Sequence, residues 1–154
     1  MSSDTPWFEE IGKTVSSAAP RIQKLQMIAA LIRNSGDYRW VGLYEIDKRA
    51  DEVINLVWDG PGAPEYPRFP IGKGLTGAAI QERKVINVGD VVSDSRYLTA
   101  FGSTRSEIIV PILDLGRAKV VGTIDVESEQ ANAFDRETEK FLVGCADVIA
   151  PLWK

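Results

Sequence analysis

Residues 106–127, SEIIVPILDLGRAKVVGTIDVE, indicate the fold class. Two apolar, β-branched runs, Ser106–Leu113 and Ala118–Glu127, flank a polar turn at Asp114–Arg117, which is the pattern of two strands joined as a hairpin. Pro111 has no backbone N–H, so it predicts a sheet edge or a bulge within the first run. The stretch therefore favours an antiparallel sheet with long neighbouring strands.

A second hairpin is predicted upstream of this one. Tyr38–Ile46 and Glu52–Trp58 are rich in aromatic and β-branched residues and enclose a polar turn. Asp59–Pro70 contains four prolines and two glycines, which predicts a loop. A short helix over Leu75–Arg83 and a short strand over Val85–Val88 follow, and 89–102 is polar and irregular.

Helices are expected at both ends of the sequence. Pro6 suits the first turn of a helix that Asp4 or Thr5 would cap and that continues to about Ala19. The apolar spacing of Ile22, Leu25, Ile28, Ala29 and Ile32 predicts a second helix after Pro20. Asp135 opens a last helix to about Leu152, with an apolar stripe of Phe141, Cys145, Val148, Ile149 and Leu152.

The order of these elements predicts one α+β domain over residues 1–154. Its N-terminal helices occupy 1–35, its sheet and pocket 38–128 and its C-terminal helix 135–152. Because hairpins or one short helix join the strands, we expect an antiparallel sheet with helices packed on one face.

Composition excludes several kinds of chemistry. The 154 residues carry a net charge of −4, which does not favour nucleic acid. Histidine is absent, which removes histidine-ligated metals and haem and the Ser-His-Asp triad. One cysteine forms no internal disulfide. No apolar run approaches a membrane span, so we expect a cytoplasmic protein without membrane contact.

Asp125 and Glu127 form the most informative polar pair. Alternation along a strand puts both carboxylates on one face, about 7 Å apart. Hairpin pairing would bring Glu107 near them. The plain interpretation is a solvated strand face; the alternative is an acidic pocket for an amine. A hard cation would also suit such a cluster, although the spacing matches no known loop.

Trp40 and Tyr44 also share one strand face. Gly42 lies between them and would leave that face open to a ligand. The alternative is that both aromatics simply belong to the core. The Gly72–Gly77 stretch, GKGLTG, precedes a helix and could hold an anion, but it lacks the end of a Walker loop and favours a tight turn. Cys145 is expected to be a buried, inert thiol.

Several short motifs together resemble the GAF domain family, and within it the free methionine-(R)-sulfoxide reductase branch. They cover most of the chain and comprise 40–44 (WVGLY), 71–77 (IGKGLTG), Asp90-Val91, 106–111 (SEIIVP), 122–128 (GTIDVES) and Phe134-Asp135. The resemblance implies a PAS-like sheet with a loop-capped pocket opposite the helices, and a homodimer built on the terminal helices.

The resemblance also implies a ligand-binding set consisting of Trp40, Tyr44, Glu107, Asp125 and Glu127. In the family, the acidic groups hold the amine and the sulfoxide oxygen, and the aromatics surround the thioether end. The cysteine positions of the family correspond to Ala100, Thr76 and, more loosely, Tyr66. Cys145 matches none of them.

We therefore expect a pocket without its nucleophile, in a small-molecule-binding, sensor-like protein. Its ligand would be a free amino acid or a similar zwitterion, without cofactor or metal, and a separate signalling partner would carry the response. Two alternatives remain open: a divergent reductase or acid–base enzyme, and a dimerisation module with an empty pocket.

Overall fold

A computed structural model describes residues 4–98 and 101–153. Within them, six strands form one antiparallel sheet in the order β3-β2-β1-β6-β5-β4, which confirms the predicted α+β class. The strands are β1 Trp40–Asp47, β2 Glu52–Asp59, β3 Arg68–Pro70, β4 Ile86–Val88, β5 Ser106–Leu113 and β6 Val120–Ser128. The helices are α1 Thr5–Ser16, α2 Arg21–Asn34, α3 Gly74–Glu82 and α4 Arg136–Ile149.

The main core lies between the sheet and helices α1, α2 and α4. Side chains that point to this face alternate along the central strands, as in Val41 and Leu43 of β1 and Ile124 and Val126 of β6. Asp135 caps α4 as predicted, because its side chain accepts a hydrogen bond from the Thr138 N–H at 2.8 Å. The opposite face of the same strands is thereby left for polar and aromatic side chains.

Helix α3 lies on this opposite face of the sheet. Leu75 and Ala79 of α3 pack against Ile109 of β5. Ile109 is paired with Asp125 on the neighbouring strand β6, so the two side chains share this face. The expectation that helices pack on one face therefore holds for α1, α2 and α4 only. This second cluster seals one side of the region where the candidate residues lie.

Four local predictions need correction. Ile22 is 51% exposed, although Leu25, Ile28, Ala29 and Ile32 are buried as expected. The 59–70 stretch contains the edge strand β3, because Arg68–Pro70 pairs with the start of β2.

Helix α1 ends at Ser16 rather than near Ala19, and Asp4 makes no side-chain cap. The expectation for Pro111 is confirmed, because β4 pairs only with Glu107–Ile109 and the outer side of β5 has no strand partner at the proline. The register of β5 and β6 also shifts just beyond it, between Ile112 and Leu113.

No helix among the described residues combines the length and the apolar character needed to cross a lipid bilayer.

Candidate functional site

Strand register brings the predicted carboxyl groups together at the centre of the sheet. Glu107 of β5 lies directly opposite Glu127 of β6, and Asp125 lies two residues along the same face. On the other side of β6, Trp40 is opposite Glu127 and Gly42 is opposite Asp125. Residues paired across neighbouring strands project from the same face, so the aromatic and acidic predictions describe one site.

The three carboxyl groups form a compact, buried cluster. One oxygen from each of Glu107, Asp125 and Glu127 lies within 4.8 Å of the others. Their side chains belong to residues that are 6%, 6% and 1% exposed, respectively, so the interpretation as a solvated strand face is wrong. No Lys or Arg in the described part of the chain forms an ion pair with any of them.

Two hydrogen bonds satisfy part of this cluster. Glu107 bonds to Asp125, and the hydroxyl of Thr104 donates to Oε1 of Glu127 at 2.6 Å. Oδ1 of Asp125 and Oε2 of Glu127 are buried and have no partner within the described residues. Unpaired buried carboxyl oxygens cost free energy, so the site has acceptor capacity that the fold itself does not use.

Burial sets the protonation of the cluster. Loss of solvation raises the pKa of Asp125 to about 6. The same effect, reinforced by the charge of Asp125, raises the pKa of Glu127 to about 8. The pKa of Glu107 lies well above its usual value, first because of burial and then because of the neighbouring carboxylates.

The hydrogen bond between Glu107 and Asp125 raises the pKa of the former and lowers that of the latter. Glu107 is therefore the protonated partner, and its carboxyl O–H donates the hydrogen bond to Asp125. Near neutral pH the cluster holds about one negative charge, centred on Asp125.

An aromatic wall stands beside the carboxyl groups. The ring centroids of Trp40 and Tyr44 are 6.5 Å apart, Trp40 lies 5.4 Å from Phe101, and Tyr44 lies 5.9 Å from Phe69. The indole N–H of Trp40 donates to the carbonyl of Gly62 at 3.0 Å, which fixes the ring against the loop. Phe69 and Phe101 were missed at the sequence level because each lies in or beside an irregular segment without periodicity.

Gly42 has a different role from the one predicted. A Cβ at this position would collide with the six-membered ring of Trp40 and lie 3.0 Å from the ring of Tyr44. The glycine therefore accommodates the indole of Trp40, and it does not leave the strand face open to a ligand.

A small cavity opens between the aromatic wall, the carboxyl cluster and the first turn of α3. Of the predicted site residues, Tyr44, Glu107 and Asp125 line it. Trp40 and Glu127 do not line it, although Trp40 packs near Tyr44 and Glu127 pairs with Glu107 across the strands. The further lining residues are Pro64, Tyr66, Phe69, Gly74, Leu75, Thr76 and Leu98. Its volume is about 30 Å³, enough for one or two water molecules.

The positions that correspond to the cysteines of the family can be compared with this cavity. Tyr66 and Thr76 both line it. Ala100 lies outside the described residues; its near neighbours Leu98 and Phe101 line the cavity and contact Trp40, respectively.

Cys145 lies in the helix-side core. It is fully buried on α4, and burial raises the pKa of its thiol to about 12. The predicted inert packing role fits this environment, since a thiol with so high a pKa forms almost no thiolate. The sheet separates it from the carboxyl cluster.

The glycine-rich stretch before α3 is a tight turn, as its pattern favours. Gly74 has φ +71, a left-handed conformation that glycine adopts without strain. A Cβ on Gly77 would collide with the backbone at Gly72 and Ile71, so the turn packs directly on the helix that follows it.

Comparison with known proteins now places the chain in a family. The family model described as "GAF domain" matches residues 8–152. The chain belongs to the GAF domain family. GAF domain-containing protein A of Dictyostelium discoideum is 30% identical over 122 residues, which cover 79% of this chain and 74% of that protein.

Two solved structures of free methionine-R-sulfoxide reductases are similar to this GAF domain. The type II enzyme of Thermoplasma acidophilum is 30% identical, with a TM-score of 0.80 over 86% of this chain and 91% of the enzyme. The Neisseria meningitidis enzyme, solved in complex with its substrate, is 26% identical, with a TM-score of 0.87 over 99% and 90%. The predicted relationship to this branch is thus confirmed.

Proposed function

We propose that this GAF domain is a non-catalytic, sensor-like binding protein for a small ligand with a primary amine, a free amino acid or methionine-sulfoxide-like molecule being the first candidate. The observation that carries the proposal is Asp125 itself, a residue that is 94% buried, lines the cavity and forms no ion pair with any described Lys or Arg. An ammonium group would supply a positive charge and hydrogen-bond donors to this carboxyl group.

Charge balance supports a ligand with one positive charge. Asp125 is mostly ionised at neutral pH, since its pKa is about 6, whereas Glu127, with a pKa of about 8, is mostly protonated. A single buried carboxylate without a cationic partner is unfavourable. One ammonium ion would neutralise it without requiring the other two carboxyl groups to ionise.

The aromatic wall supports the same class of ligand. Tyr44 and Phe69 present ring surface to the cavity beside Asp125. Aromatic faces attract ammonium groups and also pack against apolar side chains. Because the cavity measures only about 30 Å³, entry of an amino acid requires an outward movement of the residues that cover it, with Pro64, Tyr66 and Leu98 as the loop residues that line it.

A non-catalytic role follows from the location of the thiol. The sulfoxide reduction that the resemblance implies needs a nucleophilic cysteine. The sequence has one cysteine, Cys145, which is buried on the other side of the sheet. Tyr66 and Thr76 line the cavity where cysteines would be expected, and neither performs thiol chemistry.

Calorimetric titration of the reduced protein with free methionine-(R)-sulfoxide, methionine and a panel of other amino acids tests the proposal. Turnover is followed in parallel with thioredoxin and NADPH. Asp125→Asn removes the charge with little change of shape, and Asp37→Asn makes the same change at an exposed position. We expect saturable binding without turnover, lost in Asp125→Asn and kept in Asp37→Asn.

Other results would overturn specific parts of the proposal. Turnover by the wild-type protein would show that the domain is an enzyme, as its reductase relatives are. Absence of binding at millimolar ligand would reject the ligand proposal and favour a dimerisation module. Association through a homodimer or a separate signalling partner remains a prediction, which sedimentation with and without ligand would test.

A further inference from the structure

The N-terminal first turn of α3 forms one wall of the cavity. Gly74, Leu75 and Thr76 all line the cavity. Their backbone N–H groups donate to no acceptor in the described part of the chain, and Lys73, the N-cap residue, provides no side-chain cap. These are the donors that a helix leaves unsatisfied at its N-terminus, where the helix dipole also favours a negative group.

A second observation on the same cavity points to a ligand. Asp125 is 94% buried, lines this cavity and has no ion-pair partner among the described residues, although it shares a hydrogen bond with Glu107. None of the described lining residues is Lys or Arg. The cavity therefore has a negative group on the sheet side and free backbone donors on the α3 side, and no side-chain cation for a ligand carboxylate.

We propose that the first turn of α3 is the subsite for the carboxylate of a zwitterionic ligand whose ammonium group binds Asp125. This inference rests on the proposed function and extends it, because it assigns both charged ends of the ligand. It also gives the glycine-rich turn a role beyond helix entry. Gly74 and Gly77 let the turn pack closely on α3, which leaves the first-turn donors beside the cavity.

Three related probes separate the two ends of the ligand. Methionine carries both charges, 3-(methylthio)propylamine lacks the carboxylate, and methioninamide keeps the amine but replaces the carboxylate with a neutral group. We expect both derivatives to bind the wild-type protein at least about tenfold more weakly than methionine, because a charge-assisted hydrogen bond is lost. Calorimetry at constant pH and ionic strength measures the three affinities.

Variants of Thr76 test the location of the subsite. Thr76→Asp adds a carboxylate to the first turn of α3, and we expect it to remove the preference for methionine over the amine. Thr76→Val keeps the shape and the N–H donors but removes the hydroxyl, so we expect it to keep that preference. A loss of the preference in Thr76→Val would assign the carboxylate to the hydroxyl and overturn the backbone subsite, which keeps the inference testable if the Asp variant does not fold. Gln81→Glu adds one charge to the exposed last turn of α3 and should leave the preference unchanged.

The failures of the two proposals are distinguishable. Equal binding of methionine and the amine by the wild-type protein would overturn the carboxylate subsite and leave the amine site intact. The same preference in Thr76→Asp as in the wild type would place the carboxylate elsewhere and also overturn the inference. Binding of none of the three probes would overturn both proposals.

Discussion

Glu107 lies directly opposite Glu127 in the register of β5 and β6, and no described Lys or Arg forms an ion pair with either side chain. Two carboxyl groups that face each other in a buried strand pair repel one another when both are ionised. The fold tolerates the pair because protonation neutralises the carboxyl groups and hydrogen bonds satisfy some of their oxygens, so no counter-ion is needed. Glu107 donates to Asp125, and Glu127 accepts from Thr104.

Stability should therefore fall as pH rises from about 4.5 to about 8. The native pKa values of Asp125 and Glu127, about 6 and about 8, exceed their ordinary values of 3.8 and 4.5. Between these limits the native state binds more protons than the unfolded state, so the stabilisation is complete at low pH and is lost as pH rises. Each such proton contributes a slope of about 1.4 kcal/mol per pH unit.

Urea unfolding between pH 4.5 and 8.5 measures this slope. Glu127→Gln should flatten the upper part of the curve, above about pH 6, because it removes the group that titrates there. A stability that rises with pH over this range would contradict the assignment of raised pKa values to the cluster.

Glu107→Gln should preserve the fold better than Glu107→Ala. The Gln side chain still donates a hydrogen bond to Asp125, as the protonated Glu does, so we expect a change below about 1 kcal/mol in the free energy of unfolding near pH 6. Alanine leaves Asp125 without its donor and should cost about 1–3 kcal/mol. Equal losses in the two variants would show that Glu107 contributes through packing and not through its proton.

The grouping of the acidic residues could be predicted from sequence, but their environment could not. Alternation places Asp125 and Glu127 on one face, and the hairpin brings Glu107 beside them; both steps need only local geometry. Their burial depends on segments far away in the chain, including α3 and the 59–70 loop. Periodicity carries no information about how such segments cover a strand.

The aromatic wall shows the same limit. The shared face of Trp40 and Tyr44 follows from alternation, yet the position of the Trp40 ring depends on its hydrogen bond to Gly62 in a distant loop. Phe69 lies in β3. The 59–70 stretch that contains β3 has four prolines, so its sequence pattern predicts a loop and not a strand. Ile22 matches the helical spacing but is exposed, because it lies in the first turn of α2, before the first buried residue of the helix, Leu25.

Gly42→Ala should displace Trp40 and destabilise the domain by about 1–3 kcal/mol, because the added methyl group collides with the indole ring. Gly12→Ala is a matched control. Nothing lies within 4 Å of a Cβ at Gly12, which is inside α1, so the same change should stabilise by about 0.5–1 kcal/mol.

Fluorine NMR of fluorotryptophan-labelled protein, with the signal assigned by Trp40→Phe, reports the displacement. An unshifted Trp40 signal together with unchanged stability in Gly42→Ala would contradict the packing of the indole on β1.

Cys145 should be unreactive in the native protein and irrelevant to ligand binding. With a pKa of about 12, only about one thiol in 10⁴ is ionised at pH 8, and the side chain is buried on the helix side of the sheet. Cys145→Ser should cost about 1–3 kcal/mol of stability because a hydroxyl replaces sulfur in an apolar core, while the ligand affinity stays the same.

Labelling by a thiol reagent, followed with and without urea, tests the reactivity: we expect labelling to track unfolding. Thr76→Cys in the Cys145→Ser background gives the contrast, since its thiol would line the cavity and should be labelled in the native state and protected by ligand. Rapid labelling of Cys145 in the native protein would show that its thiol is accessible and reactive. Loss of ligand binding in Cys145→Ser would show that the thiol affects the site, and either result would favour a catalytic role.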